Sequence, residues 1–161
     1  MAPETRNRAL NSLIGLLQRV SRASVTVDDR TIAEIGAGLL VFVAVETGDT
    51  ETQASRLLER LLAYRVFPDD RERINLDVQE AGGSLLLVPQ FTLAADTRKG
   101  NRPGFSKAAP PQLGRRLFDY MVELGNKAPV PVAAGRFGAT MRIDLSNEGP
   151  MTFWLHVPPS S

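Results

Sequence analysis

Two short segments hold the residues whose types and spacing bear on chemistry: Pro89-Gln90-Phe91-Thr92-Leu93, and Asn147-Glu148-Gly149-Pro150-Met151-Thr152-Phe153. Each adjoins an apolar run of strand character. Neither offers a side-chain nucleophile. The 161-residue chain has no Cys and one His, which excludes thiol catalysis, disulfides, Cys-ligated zinc and His-rich metal sites. The sequence contains no GxSxG, HExxH or P-loop pattern. Ser106 and Lys107 are neighbours in a loop, and adjacent residues seldom reach the geometry of a Ser–Lys pair. His156, near the end of the last strand, reads as solvent-facing. No metal and no cofactor is expected.

Backbone chemistry remains. Consecutive N–H groups at a strand end can form an oxyanion hole for charge developing on a tetrahedral carbon. Pro89 lacks an N–H, so ladder pairing is expected to end or bulge there, freeing the N–H groups of Gln90, Phe91 and Thr92. Gly149-Pro150 reads either as a tight turn or as a cis peptide, a state held by about 5–6% of X–Pro bonds. A cis bond would aim two carbonyl oxygens in one fixed direction.

A formal net charge of +1 advertises no nucleic-acid partner across the whole surface. Local charge says more. Arg98, Lys99, Arg102 and Lys107 occur within ten residues, with Phe105 among them and no acid. Such a run suits phosphate contact with base stacking; the alternative is a plain solvated loop.

The elements that must position these residues follow from periodicity. Leu13–Val27 predicts a long strand, Asp28-Asp29-Arg30 a turn, and Thr31–Ile35 its hairpin partner. Leu39–Val45 predicts a strand buried on both faces. The Gly36-Ala37-Gly38 before it precedes a strand, whereas a dinucleotide fingerprint follows one, so it is no phosphate motif. Thr50–Val66 predicts a helix. Ala54, Leu57, Leu58, Leu61 and Leu62 form its buried stripe, Thr50 and Gln53 its capping box, and Pro68 its stop. Ile74–Val78 and Leu85–Val88 predict strands, and residues 94–110 a long loop of the kind that is usually functional or disordered. Pro111–Leu124 predicts a second helix with Leu113, Leu117, Met121 and Leu124 inward and Gly125 as its C′ residue. Pro129–Val132 reads as an extended connector, and Met141–Leu145 and Met151–Val157 as the last strands. The order βββ-α-ββ-α-ββ predicts a mixed α/β fold, a largely antiparallel barrel-like sheet with two main helices.

At this length one domain is expected, over residues 13–157, between a polar N-terminal tail (1–12) and a C-terminal tail (158–161). The first residues lack the apolar core of a signal peptide, and no run approaches the ~20 apolar residues of a membrane span. A cytoplasmic protein with no membrane partner is expected.

The chain resembles the D-aminoacyl-tRNA deacylases. The likeness runs from Leu13 to Val157. It rests on Leu17-Gln18-Arg19-Val20, Arg22-Ala23-Ser24-Val25, Gly36-Ala37-Gly38-Leu39-Leu40-Val41, Asn75-Leu76, Gln90-Phe91-Thr92-Leu93-Ala94, Arg102-Pro103, Phe105-Ser106, Gly135-Arg136-Phe137 and Asn147–Phe153, in that order. The resemblance implies hydrolysis of the ester joining a D-amino acid, or mischarged glycine, to the terminal adenosine of tRNA. It implies a homodimer with cross-subunit sites, binding the 3′ end of aminoacylated tRNA and not DNA. Gly149 and Pro150 would form a cis motif whose carbonyls leave no room for an L side chain. Gln90, Phe91 and Thr92 would line the reacting carbonyl, chiefly through backbone N–H groups, and Arg19 would hold the cis motif's orientation. Lys99, Arg102, Phe105, Ser106, Lys107 and Phe137 would lie near the tRNA end.

Two positions depart from the family pattern. Pro89 stands where Ser usually precedes Gln-Phe-Thr, which removes any serine nucleophile there. A related animal deacylase of altered chirality also has Pro-Gln, but followed by Ala; Phe91 keeps this chain with the D-specific group. Gly104 stands where Ser often precedes Phe105. The competing readings are a deacylase that mainly clears glycine or another small residue, and a non-catalytic tRNA-binding module of the same fold. A substrate panel separates the first; the intact Gln90-Phe91-Thr92 and Gly149-Pro150 argue against the second.

Overall fold

Apolar residues on both faces of two strands force a sheet covered on both sides. In the computed structural model, which describes residues 12–159, these are β3 (Gly38–Ala44) and β6 (Ser84–Pro89). Leu39, Val41, Leu85 and Leu87 point into a core shared with both helices, while Leu40, Leu86 and Val88 point into a second core. The two strands run parallel in register from Gly38↔Ser84 to Val43↔Pro89. Gly38 is required by this approach: a Cβ on it would lie 2.0 Å from Ser84 O.

Strand β1 (Leu13–Val27) organises the rest. One edge pairs antiparallel with β3 and then with β2 (Arg30–Ile35); the other pairs with β8 (Arg142–Val157). Leu13 and Leu17 face the helices, whereas Ala23, Val25 and Val27 face the second core. The face changes across residues 18–22, where the β8 register shifts twice, as bulges redirect a strand. Asp28 and Asp29 both take positive φ (50° and 63°), as a two-residue type I′ hairpin demands. The sheet order is β2-β1-β3-β6-β7, with β8 on β1 and β7 at Val132–Ala134. β2 packs against β6 and β7 without joining their ladders, so the sheet is nearly closed and barrel-like. The mixed α/β fold with a largely antiparallel sheet and two helices is therefore as expected; the β3–β6 and β6–β7 pairs are its parallel exceptions.

Helix α1 (Glu51–Ala63) covers one side of the sheet with Ala54, Leu57, Leu58 and Leu61. Its capping box forms, and the Gln53 side chain accepts from Thr50 N–H at 2.9 Å. It ends before the expected Val66: Tyr64 is already extended and its ring packs on Phe153. Helix α2 (Pro111–Asn126) runs past Gly125, which is buried inside it beneath Val132 rather than capping it. A short hairpin of β4 (Phe67–Pro68) and β5 (Ile74–Leu76) stands apart as its own small sheet. Sequence periodicity missed β4 and β7, which are two and three residues long. The expected separate strands Met141–Leu145 and Met151–Val157 are one 16-residue strand interrupted by a bulge at 148–151.

Ser12, the first described residue, is buried, and its N–H donates to Glu46 Oε1 at 3.0 Å. The remainder of the expected N-terminal tail, and residues 160–161, lie outside the described residues. No helix among the described residues is long and apolar enough to cross a membrane.

Candidate active site

At the end of β6 the chain turns into one turn of 3-10 helix, Phe91–Ala94. Strand β6 and its pairing end at Pro89, as expected. On β6, alternate residues bond to opposite neighbours: Leu85 N–H donates to Pro131 O and Leu87 O accepts from Gly135 N–H, on the β7 side. Pro89 falls on that side, so its missing N–H costs nothing toward β3. Gln90 N–H faces β3 and donates to Val43 O at 2.8 Å. The expectation that Gln90 offers a free N–H is thus overturned. Phe91 and Thr92, as the first residues of the 3-10 turn, have no acceptor for their N–H groups among the described residues. Gln90 contributes its side chain instead: Nε2 donates to Thr92 Oγ1 at 2.6 Å.

Beside this turn opens an apolar cavity of about 860 Å³. Pro89, Gln90 and Phe91 form one wall. Phe105 and residues 108–111 form the second, and Phe137 to Met141, with Ile143, the third. Three aromatic rings gather here. Phe91 lies 5.3 Å, centroid to centroid, from Phe105 and is 58% exposed. Phe137 packs against α2 because Gly114 makes room, a Cβ there reaching its ring at 3.2 Å, and Arg115 sits 5.3 Å from its centroid. Such a volume of apolar wall with few polar groups is the usual form of a small-molecule site.

The second wall is held from behind. Thr47 N–H donates to Lys107 O and Ala109 N–H to Val45 O, each at 2.9 Å. The turn carrying Thr47 is fixed by a buried acidic cluster: Asp49 accepts from Glu46 N–H at 2.7 Å and from Gln53 Nε2 at 3.0 Å. Gln53 Nε2 also donates to Val157 O at 2.8 Å. Burial pushes the Asp49 carboxyl up to about 6, against the lowering effect of those two bonds.

The basic run divides. Lys99, Arg102, Phe105 and Ser106 line a shallow depression of about 390 Å³ next to the cavity. Arg98 is engaged with Asp96, which precedes it and went unweighed in the sequence. Lys107 lines neither space; its carbonyl accepts from Thr47 N–H. Gly104 has open space: a Cβ would meet only Asp96 atoms at 3.7 Å or more, so either Gly or Ser fits.

Gly149 and Pro150 stand elsewhere. Their peptide bond is cis, and they sit exposed on the β8 bulge opposite Arg19, not on the cavity lining. Asn147 brackets the loop, its Nδ2 donating to Arg19 O at 2.9 Å and to Met151 O at 3.3 Å. Arg19 thus meets the motif through its carbonyl, while its Nη1 donates to Val66 O at 2.7 Å. His156 is exposed, does not line the cavity, and accepts from Trp154 Nε1 through Nε2. Among the described residues no three His, Asp or Glu side chains are grouped to hold a metal ion.

Sequence reasoning missed the cavity's apolar lining at Ala108, Ala109, Met141 and Ile143. Only the alternation at 141–145 hinted at it.

Residues 16–156 match the family model described as D-Tyr-tRNA(Tyr) deacylase. A D-aminoacyl-tRNA deacylase of Thioalkalivibrio sulfidiphilus is 58% identical over 91% of this chain and 99% of its own. One of Methylococcus capsulatus is 57% identical over 91% and 96%. Among solved structures, a c-Myc DNA unwinding element binding protein matches with a TM-score of 0.85 at 33% identity, covering 91% of this chain and 99% of its own. A probable eukaryotic D-amino acid tRNA deacylase shares the fold, with a TM-score of 0.76 at 19% identity over 91% and 100%.

Proposed function

Because the chain belongs to the D-aminoacyl-tRNA deacylase family, we propose that it is a hydrolase whose apolar cavity receives the 3′ end of D-aminoacyl-tRNA and whose Phe91–Thr92 turn performs the reaction. The observation that carries this reading is the pair of main-chain donors that open the 3-10 turn, Phe91 N–H and Thr92 N–H, left without acceptors, with Phe91 itself on the cavity wall. Water attacks the ester carbonyl carbon. Negative charge gathers on the carbonyl oxygen, and the two N–H groups stabilise it without reorganising. The bond to the ribose oxygen of the terminal adenosine then breaks, and that oxygen takes a proton, leaving free amino acid and tRNA. With Pro89 in place of a hydroxyl, the tRNA's own 2′-hydroxyl positions the water.

Chiral selection lies with Gly149 and Pro150. Their carbonyls form a wall that any L side chain strikes, whatever its chemistry, while glycine and D residues pass. Such exclusion works by clash rather than by grip. Since this loop does not line the cavity of its own chain, it acts in the cavity of a second copy. The enzyme is a homodimer with composite sites. Lys99, Arg102, Phe105, Ser106, Lys107 and Phe137 face the tRNA end.

The test is deacylation of matched D-Tyr-, L-Tyr- and Gly-tRNA by purified protein, beside light scattering at low micromolar concentration. Cleavage of the D and glycyl substrates by a dimer, with L-Tyr-tRNA spared, is the expected result. Cleavage of L-Tyr-tRNA at a comparable rate, or a monomer, contradicts it.

A further inference from the structure

The loop that carries Lys99 and Arg102 is closed at its base by one residue pair, Asp96 and Gly104. Asp96 N–H donates to Gly104 O at 2.7 Å and Gly104 N–H to Asp96 O at 2.9 Å, an isolated antiparallel bridge. The Asp96 carboxylate accepts three more bonds, all from Arg98: N–H at 3.1 Å, Nε at 2.9 Å and Nη2 at 2.8 Å. This is the fork geometry in which Arg and carboxylate bind most specifically. It holds the Asp96 carboxyl well below the usual carboxylate range. Lys99 and Arg102 enter no ion pair among the described residues. The first cation of the run is therefore neutralised within the loop, while the next two stay available.

We propose that Asp96 is a positioning residue for tRNA binding: it uses Arg98 as an internal strut and thereby presents Lys99 and Arg102 to the phosphates. The inference rests on the reading of this loop as a tRNA contact. Its physical ground is entropy. An untethered loop must be ordered when RNA binds, and that cost is subtracted from affinity. A count of charges predicts the reverse, because removing Asp96 adds a positive charge and frees a second cation for phosphate.

The opposition makes the experiment decisive. KM and kcat for D-Tyr-tRNA are measured over a salt series for wild type, Asp96→Ala, Arg98→Ala, Lys99→Ala, Arg102→Ala and the Asp96→Ala/Arg98→Ala double variant. Asp96→Ala is expected to raise KM about three- to tenfold, the scale of one or two lost phosphate contacts, with kcat unchanged. Arg98→Ala should raise KM without flattening the salt dependence, and the double variant should be no worse than either single one. Lys99→Ala should reduce the salt slope by roughly 0.7, the value for one single-strand phosphate contact. Three results overturn the proposal alone: tighter binding by Asp96→Ala, a slope loss in Arg98→Ala equal to that in Lys99→Ala, or a fall in kcat at unchanged KM in Asp96→Ala. If Lys99→Ala and Arg102→Ala change neither slope nor KM, the tRNA reading of the loop falls, and this proposal with it.

Discussion

The Phe91–Thr92 turn and the Gly149–Pro150 loop are the two halves of one proposed site, yet they are built in opposite ways. The turn ends a buried parallel strand. The β3 ladder reaches its first flanking residue through Gln90 N–H, and a hydrogen-bonded wall stands across the cavity. The loop is a bulge on a strand that pairs with β1 alone. It is exposed over residues 147–150 and bracketed by one side chain, Asn147. The chemistry needs donors held still, and a buried ladder supplies that. On the proposed reading the Gly149–Pro150 loop acts in another chain, and an exposed segment suits that. Rigidity and reach are assigned to different elements.

The largest expected effect tests the rigid half. Thr92→Pro deletes one of the two unpaired N–H groups and should lower kcat by about 10²–10³, the usual loss for one oxyanion donor. A loss under tenfold, with fold intact by circular dichroism, would remove the main-chain donors from the mechanism. The same variant tests the assignment of the two halves to different chains. Gly149→Trp should block the wall while leaving the turn intact. Neither variant homodimer should turn over D-Tyr-tRNA, but mixing and re-annealing them should restore about a quarter of wild-type sites, because half the dimers then hold one complete site. No recovery on mixing would place turn and loop of one site in the same chain.

Asn147→Ala tests the bracket. Without it the loop loses two hydrogen bonds, each worth about 0.5–1.5 kcal/mol, and rejection of L-Tyr-tRNA should weaken by on the order of tenfold. The D rate should fall less than the L rate rises; unchanged discrimination would mean that Asn147 does not hold the wall. Thr92→Ala keeps the main-chain donor and loses only the contact with Gln90 Nε2, so kcat should fall by no more than a few-fold. A thousand-fold loss would mean that the hydroxyl acts directly.

The smallest effect concerns the buried acid behind the cavity wall. Burial disfavours the Asp49 charge and pushes its carboxyl up to about 6 in the folded chain, from 3.8 for the free side chain. The folded state therefore binds the proton more tightly than the unfolded state. The corresponding stability is fully present below about pH 3.8 and is lost as pH rises through 6. Between those values the melting temperature should fall by a few °C through this group, and Asp49→Asn should flatten that part of the profile. An identical pH profile for both proteins would show that Asp49 does not titrate there.

Much of this was legible in the residues themselves. Leu39–Val45 and Leu85–Val88 could only be strands covered on both faces, since no residue in either run tolerates water on its side. The Thr50–Gln53 cap and the α1 stripe followed from spacing, and the Gln90-Phe91-Thr92 and Gly149-Pro150 motifs stood out by order along the chain. The helix ends read less well. Gly125 looks like a terminator, but packing beneath Val132 keeps it inside α2. Tertiary contact overrode local preference there.

What the sequence determined by itself was composition-bound: no thiol and no histidine cluster, two amphipathic helices, and a polar, glycine-containing segment between apolar strand runs near the C-terminus. What only the tertiary structure decided was pairing. Pro89 reads as a ladder break because it has no N–H, but the direction that N–H would have pointed depends on which strand lies on each side. The parallel register with β3 leaves Gln90 bonded and Phe91 and Thr92 free. Asp96 is an unremarkable acid in the sequence; in the fold its main chain bridges to Gly104 and its carboxylate holds Arg98, two residues on. The distance of Gly149 from its own chain's cavity is a fact of how β8 lies on β1, sixteen residues along an edge. Residue type states what a group can do; the neighbour brought beside it by long-range pairing states whether it is still free to do it.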